Sequence, residues 1–203
     1  MTPLDLTPVV LAGGGSTRFA DGDKALAEIG GQPMLARVVA RTRAMTHERT
    51  MVAVNTSERA QRYRTALADW TAAVGFVTDL DDFAGPMAGL AAAVERAGTE
   101  WLFVCGCDQP FVSSALVERL ADHVTDDVEI VVPATDGETH PLGALYRRTA
   151  VERALADLPR SVGLHRLFDE LHTATVEITG AERRALENVN TVAALQRARD
   201  TLG

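Results

Sequence analysis

Two kinds of segment alternate along the chain, and the pattern of hydrophobic and polar positions distinguishes them. Short apolar runs, such as VVL at 9–11 and LFVC at 102–105, are typical of strands buried on both faces of a sheet. The stretches between them place apolar residues three and four positions apart, which is the spacing of one helix face. Strands are predicted at 8–11, 51–54, 74–77, 101–105, 130–132, 140–146 and 175–178. Helices are predicted at 33–46, 58–69, 86–97, 113–124, 149–157, 162–171 and 191–202.

Polar residues at the starts of several predicted helices are good N-caps. Ser57 is expected to cap the second helix, Ser113 or Ser114 the fourth, and Thr191 the last. The repeated strand–helix alternation predicts an α/β fold with a mostly parallel sheet, helices on both faces and right-handed crossovers.

Length, charge and cysteine content exclude several classes of protein. A chain of 203 residues suggests one domain, and a net charge of −8 argues against a nucleic-acid-binding surface. No stretch reaches the ~20 apolar residues of a membrane span, and the first residues lack the pattern of a signal peptide. Cys105 and Cys107 form neither a disulfide framework nor a zinc-binding pattern. A cytoplasmic protein that binds neither nucleic acid nor a membrane is therefore expected.

A glycine-rich segment, LAGGGSTRFADGDK at 11–24, directly follows the first predicted strand. Glycines let backbone N–H groups approach an anion closely, while Arg18 and Lys24 add a forked and a compact positive charge. Lys24 is the only lysine in the sequence, beside 19 arginines. The segment is therefore predicted to bind phosphate, the alternative being a solvated turn with incidental charges. It matches neither the P-loop nor the GxGxxG pattern.

Polar residues follow three of the predicted strands. Asp108 comes after the fourth strand, and Asn55 and Asp79 end the second and third. Ligands of open α/β sheets bind at this edge, where a carboxylate opposite a phosphate-binding segment suits Mg²⁺. Asp108 is therefore predicted to bind Mg²⁺, with capping of the next helix as the alternative. Asn55 and Asp79 are candidates for contacting a base or ribose, although each alone is more often a turn residue.

Three further motifs complete the set of candidates: FAGPMAGL at 83–90, THPLGALY at 139–146 and NVNT at 188–191. In the first, Gly85-Pro86 opens a helix whose N-terminus carries free N–H groups, although a tight turn before a packed helix explains the pattern equally well. In the last, Asn188 and Asn190 can share one side of an extended segment and hold a substrate.

Taken in order, LAGGGSTRFADGDK, FAGPMAGL, CDQPF, HPLGALY and NVNT resemble the molybdenum cofactor guanylyltransferases over nearly the whole chain. The resemblance implies a three-layer, Rossmann-like nucleotidyltransferase fold in one domain, with a nucleotide-binding half at 1–110 and an acceptor-binding half at 111–203. It implies GTP and the molybdopterin cofactor as substrates, Mg²⁺ as cofactor, and molybdoenzyme apoproteins or other cofactor-biosynthesis proteins as further partners. The chain departs from the family, which usually reads RMG, at Arg18-Phe19-Ala20.

The resemblance also assigns roles to individual residues. The implied nucleotide-binding residues are Leu11, Ala12, Gly13, Gly14, Lys24, Asn55, Asp79 and Asp108. Together with Arg18, which the glycine-rich segment itself offers to phosphate, Lys24 and Asp108 are the expected catalytic residues, and the resemblance places Asp108 also on the metal. The implied acceptor-binding residues are His140, Asn188 and Asn190.

Two other functions stay open at the level of the sequence. A related nucleotidyltransferase could use CTP, or act on another phosphorylated small molecule, although the cytidylyl relatives tend to carry LAAG where this chain has LAGG at 11–14. A catalytically inactive protein that binds nucleotide or delivers the cofactor is the other alternative. Lys24 and Asp108 argue against inactivity.

Overall fold

The computed structural model describes residues 4–14, 23–79 and 83–202. The strands of its main sheet are β1 Leu6–Leu11, β4 Thr50–Val54, β5 Val74–Thr78, β6 Trp101–Gly106, β7 Ile130–Thr135, β8 Glu138–Thr139, β9 Ala144–Arg147 and β10 Thr173–Glu177. Their order in the sheet is β10-β7-β9-β6-β1-β4-β5, with β8 pairing to β7. A separate two-stranded hairpin joins β2 Glu28–Ile29 to β3 Gln32–Pro33.

Helices cover both faces of the sheet. The α-helices are α1 Met34–Arg43, α2 Ser57–Ala66, α3 Pro86–Arg96, α4 Ser114–Ala121, α5 Arg148–Asp157, α6 Arg166–Glu170 and α7 Val192–Leu202. Short 3-10 helices lie at Lys24–Leu26, Ala68–Ala73 and Gly180–Leu186. Along β1, Val10 packs in the cluster with Val39 of α1, whereas the adjacent Val9 packs with Leu90 of α3. Burial on alternate sides confirms the predicted α/β class with helices on both faces.

The strand pairing brings several carboxyl ends to one edge. Leu11, the last residue of β1, pairs in parallel register with Ala53 of β4 and with Gly106 of β6. Strand β5 runs parallel to β4 in turn. The polar residues that follow β4, β5 and β6 therefore emerge on the same side of the sheet as the glycine-rich segment.

The structure corrects some predicted elements. Thr56, and not Ser57, caps α2, because its Oγ1 accepts from the Arg59 N–H at 3.2 Å. The strand predicted at 140–146 is the shorter β9, which runs antiparallel to both β6 and β7. Its start is delayed by Gly143, whose φ of 87° is foreign to a strand.

Helix α6 is shorter than the predicted 162–171, since a turn closed by the Arg166 N–H to Gly163 O bond precedes it. At the fourth helix Ser113 is the cap, and at the last helix Thr191 accepts from the Ala194 N–H. None of the helices in the described residues is both long and apolar enough to cross a membrane.

Candidate functional site

A cleft of about 490 Å³ opens at the carboxyl edge of β1, β4 and β6, beside the start of α3. We call it the main cleft. Seven of the residues predicted to bind nucleotide line it: Leu11, Gly13, Gly14, Lys24, Asn55, Asp79 and Asp108. Ala12 belongs to the same predicted set but is buried, and its N–H continues the β-ladder by donating to Ala53 O at 2.8 Å.

Lys24 joins three segments that are far apart in the sequence. Its Nζ donates to Asp108 Oδ2 at 2.6 Å and to Asn190 Oδ1 at 2.8 Å. The Lys24 and Asp108 side chains are 20% and 12% exposed, so the ammonium remains open to the cleft. The sole lysine thus meets one residue from the strand end and one from the NVNT motif.

The turn after β6 holds Asp108 in place. A Cβ on Gly106 would collide with Asp108 Oδ1, so any larger residue there would displace the Asp108 carboxylate. Gln109 Oε1 accepts from the Gly106 N–H at 2.8 Å, and Asp108 O accepts from the Val189 N–H at 2.8 Å. The second of these bonds ties the NVNT segment to the backbone of Asp108.

Asp79 lies beneath the glycine-rich segment. A Cβ on Gly13 would come within 2.5 Å of Asp79 Oδ2, and one on Gly89 within 3.3 Å of Asp79 Oδ1. Oδ1 is buried and has no hydrogen-bond partner among the described residues. Burial raises the pKa of Asp79 above its ordinary value, and attraction to the Arg59 guanidinium opposes that shift. The carboxylate therefore lines the cleft with one of its oxygens shielded from solvent.

We expect Asp79→Asn to raise the melting temperature at pH 7 by about 2 °C, because the amide carries no charge to desolvate. A carboxyl with a raised pKa destabilises the folded chain when ionised. That penalty is lost as the pH falls through the folded-state pKa towards the lower pKa of the unfolded chain. The advantage of the variant should therefore shrink at pH 4, which thermal unfolding at the two pH values measures. A lower melting temperature of Asp79→Asn at pH 7 would contradict the expectation.

A second cavity of about 310 Å³, the side cavity, adjoins the main cleft and shares Pro86 and Leu142 with it. Its other lining residues are Gln109, His140, Pro141, Gly163, Leu164, His165 and Asn188. His140 and Asn188 thus come together here, whereas Asn190 points to Lys24. The His140 ring is oriented by a 2.6 Å hydrogen bond between its Nε2 and Thr135 Oγ1.

Sequence reasoning missed three residues around the two cavities. Gln109 and His165 both line the side cavity. Arg59 reaches the glycine-rich segment from α2, and the only signal for it in the sequence is its position one helical turn after Asn55. Arg18, predicted to pair with phosphate, lies outside the described residues.

The donors in the main cleft suit a hard cation that also binds substrate oxygens. Within the described ranges no three His, Cys, Asp or Glu side chains converge as a metal cage. Asp108 and Asn190 both present an oxygen atom to the Lys24 ammonium, and Mg²⁺ typically takes one or two carboxylates plus phosphates. The thiols are unsuited to such a role, since burial raises the pKa of Cys107 to about 12 and that of Cys105 still further.

Comparisons with known proteins agree with this geometry. The family model for the MobA-like NTP transferase domain matches residues 8–176. The molybdenum cofactor guanylyltransferase of Cupriavidus metallidurans is 32% identical over 93% of this chain and 91% of its own length. The molybdenum cofactor guanylyltransferase of Photobacterium profundum is 31% identical over 96% of this chain and 95% of its own length. The fold is similar to that of molybdopterin-guanine dinucleotide biosynthesis protein A from Archaeoglobus fulgidus, with a TM-score of 0.75 at 23% identity, covering 96% of this chain and 97% of the other.

Proposed function

Because the chain belongs to the MobA-like NTP transferase family, and is thus a nucleotidyltransferase, we propose that it transfers GMP from GTP to the molybdopterin cofactor. The observation that carries the proposal is the meeting of Lys24 and Asp108 in the main cleft with Asn190 of the NVNT motif, beside an adjoining side cavity. The main cleft has the polar residues for a nucleotide, and the side cavity has room for an acceptor.

Guanine is favoured over cytosine by the carboxylate of Asp79. Asp79 lines the main cleft, and its Oδ1 has no hydrogen-bond partner among the described residues, so the carboxylate has acceptor capacity left for a ligand. Guanine presents two adjacent donors, N1–H and the N2 amino group, that match a carboxylate. Asn55 lies beside Asp79 in the same lining and is proposed to contact the base or ribose. The triphosphate then extends along Gly13 and Gly14 towards Lys24.

The transfer is proposed to proceed without a covalent enzyme intermediate. A terminal phosphate oxygen of the acceptor attacks the α-phosphorus of GTP, an O–P bond forms, the bond to the β-phosphate breaks, and pyrophosphate leaves. Positioning and charge stabilisation carry most of the catalysis of phosphoryl transfer, and the same terms apply here. Lys24, together with Arg18, is proposed to hold the phosphates and to balance the charge that develops on the leaving group.

Mg²⁺ is the cofactor that we propose for Asp108, with Asn190 as a neighbouring oxygen donor. When bound, the ion supplies further positive charge to the phosphate oxygens. Lys24 competes for the same carboxylate, since it already donates to Oδ2. The chain's own contribution is to hold Asp108 rigidly through the Gly106–Gln109 turn.

The acceptor is proposed to occupy the side cavity. Its walls combine apolar surface from Leu142 and Leu164 with polar groups from His140 and Asn188, which suits a flat heterocycle bearing hydrogen-bonding edges. This arrangement supports a division into a nucleotide-binding half at 1–110 and an acceptor-binding half at 111–203. We place the reaction in the cytoplasm, where the free thiols Cys105 and Cys107 remain reduced, with molybdoenzyme apoproteins or other cofactor-biosynthesis proteins receiving the product.

Two measurements test the proposal. GTP with Mg²⁺ at about 100 times its Kd is expected to raise the melting temperature by about 5–10 °C, and CTP by much less. Purified molybdopterin cofactor should then trigger the release of one pyrophosphate per GTP. Protection by CTP alone would overturn the guanylyl assignment. Normal GTP protection without pyrophosphate release would favour a protein that only binds nucleotide or delivers the cofactor.

A further inference from the structure

Arg59, in the first turn of α2, contacts the backbone of Gly13 and Gly14 in the glycine-rich segment. Its Nη1 donates to the carbonyl oxygens of Gly13 at 2.9 Å and Gly14 at 3.2 Å. The same nitrogen donates to Asn55 Oδ1 at 3.0 Å. Because the amide oxygen of Asn55 is engaged in this way, its NH₂ group is directed away from Arg59. One guanidinium thus orients a side chain and two peptide groups of the main cleft.

Arg59 also reaches the other flank of the segment. Its Nε lies 3.6 Å from Asp23 Oδ2, and Tyr63, one turn further along α2, donates its hydroxyl to the same oxygen at 2.8 Å. Asp23 Oδ1 accepts from the Ala25 N–H at 3.2 Å and so caps the short helix that begins at Lys24. The carboxylate is fixed by α2 on one side and fixes the lysine backbone on the other.

This cluster of Arg59, Asp23 and Tyr63 is shielded from solvent. The side chains of Arg59 and Asp23 are 19% and 5% exposed, and Tyr63 is buried. Burial and the hydrogen bond to Asp23 hold the pKa of Tyr63 far above its usual range, so its hydroxyl remains a donor. Shielded, charge-assisted hydrogen bonds are stronger than exposed ones, so the cluster is a rigid support.

We propose that Arg59 is a positioning residue for GMP transfer, which sets both the nucleotide-binding side chain Asn55 and, through Asp23, the phosphate-binding Lys24. The inference rests on the proposed function. It assigns to α2 a task that packing alone does not require, since a buried apolar side chain would fill the same space. The geometry separates two effects: contacts to Asn55 and the glycines govern nucleotide affinity, and contacts to Asp23 govern the placement of the Lys24 ammonium.

The two effects predict different kinetic changes for two substitutions. Arg59→Gln is expected to raise KM for GTP and lower kcat by about 10-fold each, because both sets of contacts are lost. Tyr63→Phe keeps the Asn55 contacts, and should lower kcat several-fold with little change in KM. Arg59→Lys keeps the positive charge, but its single nitrogen cannot reach both Asp23 and the acceptors at Gly13, Gly14 and Asn55. We therefore expect it to retain only part of the wild-type kcat and GTP affinity. Arg62→Gln, at an exposed arginine of the same helix, is the matched control.

A chemical rescue separates positioning from structural support. Millimolar guanidinium should restore part of the activity of Arg59→Ala by occupying the vacated space, and should leave Arg62→Gln unchanged. Kinetics of Arg59→Gln equal to those of Arg62→Gln would overturn the proposal. The proposal would also be overturned if the loss of activity matched a lower melting temperature, if Arg59→Gln and Tyr63→Phe did not differ in their effects on KM and kcat, and if guanidinium gave no rescue. If the wild-type chain released no pyrophosphate, the proposed function would fail, and the GTP-dependent melting shift of Arg59→Gln against Arg62→Gln would still decide the role of Arg59.

Discussion

Lys24→Ala is expected to lower kcat for GMP transfer by about 100- to 1000-fold, the loss typical of removing one electrostatic donor from a transition state. The ammonium lies in the main cleft, bonded to Asp108 and Asn190 at 2.6 and 2.8 Å. Developing charge on departing pyrophosphate would be met there by a group that is already oriented. Steady-state kinetics with GTP and molybdopterin cofactor measure the change.

Two controls make the result specific. Lys24→Ala leaves Asp108 without its ion-pair partner, so the melting temperature of the variant must be compared with that of the wild-type chain. Lys24→Arg keeps the charge but replaces a compact ammonium with a planar fork, and is expected to restore only a small part of kcat. Transfer by Lys24→Ala at the wild-type rate would remove Lys24 from the mechanism.

The sequence predicted the site best where the sheet itself does the positioning. Asn55, Asp79 and Asp108 each follow a continuous apolar run, and parallel strands bring their carboxyl ends to one edge. That rule needs no side-chain detail, so these residues could be placed in one cleft from the pattern alone. The same pattern could not reveal that β9 is antiparallel, because a buried strand has the same apolar character in either direction.

The pattern of hydrophobic and polar positions could not predict contacts between segments that are distant in the sequence. Lys24 and Asn190 are 166 positions apart, and only the packing of the C-terminal segment against the β6 turn brings them together. Arg59 resembles any other arginine of a polar helix until the fold places it under Gly13 and Gly14. The N-cap of α2 was misplaced by one residue, since Thr56 and Ser57 are both good caps and local propensity does not separate them.

Gly13→Ala is expected to raise KM for GTP by about 50-fold, because overpacking at a tight site costs about 1–3 kcal/mol. The added Cβ would lie 2.5 Å from Asp79 Oδ2 and 3.4 Å from the backbone nitrogen of Asn55. The backbone of Asp79 is anchored by its N–H to Val54 O at 2.7 Å, so the clash is relieved by a turn of the Asp79 side chain. The substitution would therefore displace the carboxylate proposed to bind guanine. Saturation curves with GTP measure the effect.

Gly98→Ala is the matched control, since Gly98 lines neither cavity, a Cβ there meets nothing within 4 Å, and neither glycine has a positive φ. It should change KM for GTP less than threefold, on the order of a surface substitution. A double-mutant cycle then traces the cause: on an Asp79→Ala background, where the obstructing carboxylate is gone, Gly13→Ala should have little further effect. Additive effects in that cycle would show that Gly13 acts on the nucleotide directly. A wild-type KM for Gly13→Ala would contradict the expectation that the added Cβ moves a carboxylate that binds the nucleotide.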